Sequence, residues 1–376
     1  MSRLNFLERE RKVLEEVLPG VDSALAAIPL LQMERPGNPA IPVFKRLGGP
    51  GLLVPAQFGG RGASPLQALR AQCAIAARAP SLAVATTMHH FTIASLVEIA
   101  PDNPGQEREL LEQVAKGNLY IASAFAEGRT GSSIQTSALR VEKAEHGLFV
   151  SGSKKPCSLS QSMDLLTISL PAPERMDATL AAAIIRPDTP GIERRPFWKS
   201  PILAGAESDE LVLNRVWVPE DALVPLGGPG LSNDVQERGM LWFELMITAC
   251  YVGIVGALAE HVFSSVKGGA AQRVSLAADV EGAIAALEAI ARDMEAGNRS
   301  SSALARMLLV RYAVQSAIDR ASTLAVELLG GLAFIAMPHV SYLFAATRGL
   351  SFHPPSRLSA SERIDAYLAG NPLVLD

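Results

Sequence analysis

The 376-residue chain is poor in aromatics, at 5%, and holds only three cysteines. Cys73, Cys157 and Cys250 are far apart, and neither a CxxC pair nor a Cys/His cluster accompanies them. A disulfide framework and a zinc site are therefore not indicated, and a reducing, cytoplasmic compartment is expected. No surplus of positive charge is present either, since 34 Lys and Arg stand against 38 Asp and Glu for a net charge of −4. Such a chain has little with which to neutralise a phosphate backbone, which argues against nucleic acid as a partner. No apolar run reaches the ~20 residues of a membrane span. The longest, Leu245 to Ala259, is bracketed by Glu244 and Glu260 and reads as a buried core helix. The first residues, MSRLNFLERERKVLEEVL, form a charged amphipathic helix without the apolar stretch of an export signal.

What the chain does hold is aliphatic. Hydrophobic residues make up 48%, enough for a large core, and alanine, at roughly 15%, favours helices. Three textures follow one another. Up to about residue 118, helical spacing over 5–18, 64–78, 81–99 and 105–116 alternates with Pro/Gly breaks. From 119 to about 230 the runs shorten and become β-like. Leu139–Lys143 and Leu148–Val150 flank Ala144-Glu145-His146-Gly147 as a hairpin, and 165–170, 181–185 and 211–218 read as further strands. From 231 to 376 long helices return. Met307, Val310, Val314, Ala317, Ala321, Leu324 and Leu328 trace the seam of an antiparallel bundle, stopped by Gly330-Gly331. The expected fold class is α+β, with a β region between two helical ones.

Several motifs are missing: GxGxxG after a strand, GxxxxGK[ST], GxSxG and HExxH. A Rossmann site and a P-loop are both disfavoured. His89-His90 reads as structural, because adjacent helical residues point in different directions. The informative pieces are Leu52–Gly62 with its Gly59-Gly60-Arg61-Gly62, Ala124–Ser133, Gly152–Ser158, Ser208-Asp209 through Pro219, and Glu327–Phe334.

In that order these pieces resemble the acyl-CoA dehydrogenase superfamily of flavoproteins, from about Leu47 to Arg348. They are similar to its LGVPEEYGGxG, TEPGAGSD, GxKxWIT, LxFxxVxVP and QxxGGxGF motifs. The resemblance implies an N-terminal helical domain, a middle β-barrel-like domain and a C-terminal four-helix bundle around FAD. Phe125, Ala126, Pro156, Cys157 and Ser158 would then line the flavin, with the Ser158 hydroxyl near its N5. Gly131 and Ser132 would lie by the pyrophosphate or the substrate entrance. Glu327, Gly330 and Gly331 would reach the adenine end from a neighbouring subunit, making the protein a homodimer or homotetramer. Compared with the family, Ala126 replaces a Thr, Pro156 a Trp and Glu327 a Gln, and no RxxFG stretch is visible around 266–275.

Family desaturation needs a carboxylate to take the proton α to a thioester while hydride leaves to the flavin. Where many members carry that Glu, this chain has Pro354. Another branch takes the base from the first bundle helix, here 239–263, which carries Glu244 inside an otherwise apolar face. Alignment sets Glu244 one residue after that base position, which Phe243 occupies. Glu244, Thr248 and Tyr251 lie at i, i+4 and i+7, and a carboxylate there should have a raised pKa. Glu244 is the candidate catalytic base; its alternative reading is an ion pair with Arg311 or Arg320, and His353 is the second candidate. Arg194-Arg195, Arg348 and Arg357 are candidate contacts for an acidic handle.

The expected activity is α,β-dehydrogenation of an acyl thioester, presented by CoA or an acyl carrier protein, in a specialised biosynthetic pathway. A flavoprotein or O2 would accept the electrons. The alternatives are a flavin monooxygenase of the same superfamily, which needs no base at 354, and a scaffold that has lost FAD.

Overall fold

The computed structural model describes residues 4–99, 105–128, 136–174, 176, 178–226 and 233–373. Gly131 and Ser132 fall outside them. Seven helices come first: α1 (Glu8–Val17), α2 (Val21–Ala26), α3 (Leu30–Met33), α4 (Ala40–Arg46), α5 (Pro65–Arg78), α6 (Pro80–Ile99) and α7 (Gln106–Gly117). Local chemistry places their ends. Ser64 caps α5 through a reciprocal box with Gln67, and Pro65 supplies a preset φ at the first helical position.

Among the described residues, eight strands form two four-stranded sheets. One has the order β1 (Ile121–Ala124), β4 (Leu165–Pro171), β5 (Leu180–Ile185), β8 (Leu223–Leu226). The other runs β2 (Arg140–Ala144), β3 (Gly147–Cys157), β7 (Asp209–Pro219), β6 (Ile192–Arg195). The expected hairpin is β2–β3, in register from Arg140–Ser151 to Ala144–Gly147. The chain returns to helix with α8 (Asn233–Ser264), α9 (Ala270–Glu295) and α10 (Ser301–Leu329), then the shorter α11 (Gly331–Ala336), α12 (Pro338–Ala346) and α13 (Arg357–Leu368). Gly330, at φ 84°, stops α10 as its position after the seam implies.

The core joins the two helical regions. α5 and α6 pack on α8, which over 237–264 is long and apolar enough to cross a membrane, but whose most apolar 18-residue stretch is buried inside the protein. The alanines of α5 make this close approach possible: Ala68, Ala71, Ala74 and Ala76 are all fully buried. At the crossing, a Cβ on Gly253 would fall 2.3 Å from the Cys73 carbonyl oxygen and 2.8 Å from the Ala76 Cβ. Helix backbone cannot yield there, so Gly253→Val is expected to destabilise the fold by about 1–3 kcal/mol, measurable by urea unfolding.

His89 is structural. Its Nε2 donates to the Pro50 carbonyl (2.8 Å) and its Nδ1 accepts from the Ile121 amide (3.0 Å). Burial lowers its pKa to about 4, so the ring is neutral.

Candidate flavin and substrate cavity

A cavity of about 550 Å³ opens where α6, α8, the ends of β1 and β3, the segment 198–208 and the segment 345–354 meet. That volume lies in the usual range for a small-molecule site. Helical spacing supplies two of its walls. Val84, Met88 and Phe91 stand at i, i+4 and i+7 of α6, and Met240, Phe243, Ile247 and Tyr251 form one stripe of α8.

Four of the expected flavin-lining residues meet on the wall facing these helices: Phe125, Ala126, Pro156 and Ser158. Cys157 lies behind them, fully buried, with burial pushing its thiol up to about 12. Ser158 Oγ pairs with Ser208 Oγ at 3.0 Å. Ser123, on β1, lines the same wall with a buried hydroxyl that has no partner among the described residues. A buried orphan hydroxyl is rare, and a polar ring edge against this wall would satisfy it. The residues present therefore fit a flavin ring.

Lys154 holds this wall from behind, a role the sequence reading did not assign. Its side chain is fully buried, and its ammonium donates to Glu127 Oε1 (2.8 Å), Ser137 Oγ (3.0 Å), Ser169 Oγ (3.0 Å) and the Phe125 carbonyl (3.3 Å). Burial raises the Glu127 carboxyl, but the Lys154 hydrogen bond, the Ala138 amide and the Lys154 charge outweigh it and leave the group below its ordinary value. The clamp fixes the segment carrying Phe125 and Ala126.

Glu244 is turned away from the cavity. The cavity stripe on α8 runs through Phe243 instead. Glu244 is fully buried with Oε2 at 2.7 Å from Arg311 Nη1, while Oε1 has no partner among the described residues. Burial pulls its pKa up to about 7 against the opposing charge and hydrogen bond of Arg311. Arg311 also donates to the carbonyls of Leu350 (2.9 Å) and His353 (2.6 Å).

His353 and Pro354 do line the cavity. His353 Nε2 lies 2.8 Å from Tyr251 Oη. Burial pushes the tyrosine well above its ordinary value, so it keeps its proton. The hydroxyl is a donor and an acceptor, so this bond holds Nε2 in place whichever ring nitrogen carries the proton. Burial and the Arg311 charge lower His353 to about 3. With its pKa lowered and Nε2 held by Tyr251, His353 is a poor base.

Arg348 borders the cavity but is tied to Asp319 and to Ser322 Oγ. Arg194 is spent on the Ser160 carbonyl at 2.7 Å, Arg195 pairs with Glu193, and Arg357 begins α13 on the surface. Glu327, Gly330 and Gly331 are not brought to the cavity; they sit at the outer end of α10, beside Leu332 and Ile335, which are 80% and 81% exposed.

Helices before and after two sheets, with a flavin-sized cavity at their junction, define a flavoprotein of the acyl-CoA dehydrogenase fold. Methanesulfinate monooxygenase MsuC from Pseudomonas fluorescens has this fold with a TM-score of 0.81, at 18% identity over 99% of both chains. Glutaryl-coenzyme A dehydrogenase in complex with glutaryl-CoA gives 0.79 at 18% identity, over 98% of this chain and 97% of that one. No family model matches the chain. Isobutylamine N-hydroxylase of Streptomyces viridifaciens is 41% identical over 376 residues, covering 98% of this chain and 100% of the relative. The chain belongs to the acyl-CoA dehydrogenase superfamily of flavoproteins.

Proposed function

We propose that the protein is a flavin-dependent monooxygenase that hydroxylates the nitrogen of a small, apolar primary amine. The observation that carries this reading is the cavity wall: among the described residues it contains no carboxylate. Dehydrogenation of a thioester requires a base to break a C–H bond. Pro354 and Phe243 stand where such a base is expected, Glu244 is committed to Arg311, and His353 is weakly basic with Nε2 held by Tyr251. An amine makes no such demand, because its nitrogen lone pair is already the nucleophile. The full-length similarity to an N-hydroxylase supports the same chemistry.

Reduced flavin, when bound, would supply oxygen activated from O2. The wall of Phe125, Ala126, Pro156, Ser123 and Ser158 would hold it, and we retain FAD as the form that the superfamily resemblance implies. The remaining residues bind and orient. Phe91, Met240, Phe243 and Ile247 take up the alkyl group and exclude water. The neutral Tyr251–His353 pair adds a fixed polar edge without a formal charge.

Purified protein supplied with FAD, a flavin reductase, NADH and 18O2 should convert isobutylamine to a hydroxylamine carrying one labelled oxygen. Unlabelled product, or an unsaturated product from an acyl thioester with no turnover of amines, would overturn the proposal.

A further inference from the structure

The segment 203–208 combines two features that seldom coincide. It supplies Leu203, Ala206 and Ser208 to the cavity wall, and it is strained. Leu203 (φ 60°, ψ 23°) and Glu207 (φ 54°, ψ 46°) both adopt the left-handed conformation on either side of the turn Ala204–Ala206. For a leucine this backbone is a genuine outlier, and such outliers persist only where the surroundings over-determine them.

The surroundings here are unusually complete. The Leu203 amide donates to Tyr342 Oη at 2.9 Å, and Tyr342 donates to the buried carboxylate of Glu34. Glu34 also receives the Ser81 hydroxyl (2.6 Å) and the Ser81 amide (3.0 Å) at the start of α6. Asn38 Nδ2 donates to the Gly205 carbonyl at 3.1 Å. Gly205 admits no side chain, because a Cβ would lie 2.3 Å from the Met33 carbonyl oxygen. Ser160 donates to the Glu207 carbonyl through both amide (3.2 Å) and hydroxyl (2.7 Å). Helices α3, α6 and α12 and the middle β region thus converge on one turn, and Leu203, 5% exposed, is delivered to the cavity.

We propose that this turn is the size gate of the substrate cavity, with Leu203 as its end stop and Tyr342 and Glu34 as positioning residues that set how far the stop protrudes. The inference rests on the amine-oxidising reading for the identity of the substrate. It adds a specificity determinant that includes two residues, Tyr342 and Glu34, that do not line the cavity. One methylene in an apolar pocket is worth about 10- to 200-fold in discrimination, so a shift of this wall should be visible in chain-length preference.

The test uses the flavin-loaded protein and primary amines from propylamine to octylamine, reading both ligand-induced thermal stabilisation and kcat/KM. Leu203→Ala should raise the hexylamine-to-isobutylamine ratio at least about tenfold. Tyr342→Phe, which frees the Leu203 amide without entering the cavity, should move the same ratio in the same direction by a smaller factor, with flavin content unchanged. A merely structural tyrosine would lower stability and leave the ratio alone. Unchanged ratios in both variants, or loss of flavin with the ratio intact, would overturn the gate. If no amine is turned over but the binding cutoff still shifts with Leu203→Ala, the gate stands and the proposed reaction falls. If amines neither bind nor react, both fall.

Discussion

Replacing Arg311 by methionine should destabilise the fold by about 3–5 kcal/mol, the usual result of leaving one member of a buried ion pair alone. Arg311 and Glu244 are 1% and 0% exposed, and one Glu244 oxygen already has no partner. The variant would also strip the donor from the carbonyls of Leu350 and of His353, the latter a cavity residue. Chemical denaturation at neutral pH reads the loss. The double variant Arg311→Met/Glu244→Leu should recover most of it, since a well-packed apolar pair avoids the desolvation of both charges. The pH dependence has a fixed sign. Glu244 is raised to about 7 in the folded state against an ordinary value near 4.5. The folded protein therefore binds this proton more tightly, and Glu244's contribution to stability fades as pH rises from about 4.5 through 7. Wild type compared with Glu244→Gln across that range should show the difference shifting against wild type as pH rises.

A comparable loss of stability, about 3–5 kcal/mol, is expected of Lys154→Met, with a different signature. Its ammonium is the shared donor for Glu127, Ser137, Ser169 and the Phe125 carbonyl. Without it, Glu127 is left 8% exposed and without its counter-charge, and the strand end bearing Phe125 and Ala126 loses its anchor. Flavin should dissociate on gel filtration at temperatures where circular dichroism still shows a folded protein. Arg311→Met, by contrast, leaves this wall intact and should lose flavin only as it unfolds. Glu127→Gln should be milder, because the amide oxygen can still accept from Ser137 and the Ala138 amide. Retention of full flavin by Lys154→Met would remove the clamp from the account.

Much of this architecture is legible in the residues. The hairpin at Ala144–Gly147, the seam from Met307 to Leu328 and the stop at Gly330 each follow from local chemistry. Strand β1 is not legible: it is four residues long, buried throughout and parallel to β4, so it shows no alternation. The site is harder to read for a related reason. Helix α8 is apolar nearly all round, so its sequence has no phase, and a rotation of one residue exchanges Phe243 for Glu244 on the cavity wall. Spacing alone puts Glu244, Thr248 and Tyr251 on one stripe, yet of these only Tyr251 reaches the cavity. Val84, Met88 and Phe91 carry a usable signal, a regular i, i+4, i+7 series on a helix the periodicity already finds. Tyr251 and His353 lie 102 residues apart, and nothing local pairs them. Leu203 sits in a loop whose left-handed backbone no residue type announces.

The contact of Gly253 with Cys73 has a consequence for how the chain is made. The two residues belong to helices separated in sequence by α6, α7 and the whole β region, so α5 is synthesised long before the surface that covers it. At ribosomal speeds of about 5–20 residues per second, the delay is on the order of 10–35 s. Through that interval the alanine face of α5 has no permanent cover, and the first helical region is an incomplete half of a core rather than a unit that folds early. We predict that the β region, whose strands pair with one another, forms first and that the outer segments close around it once α8 leaves the exit tunnel. Nascent chains stalled before α8 should accordingly be protease-sensitive over 65–99 and resistant over 140–226.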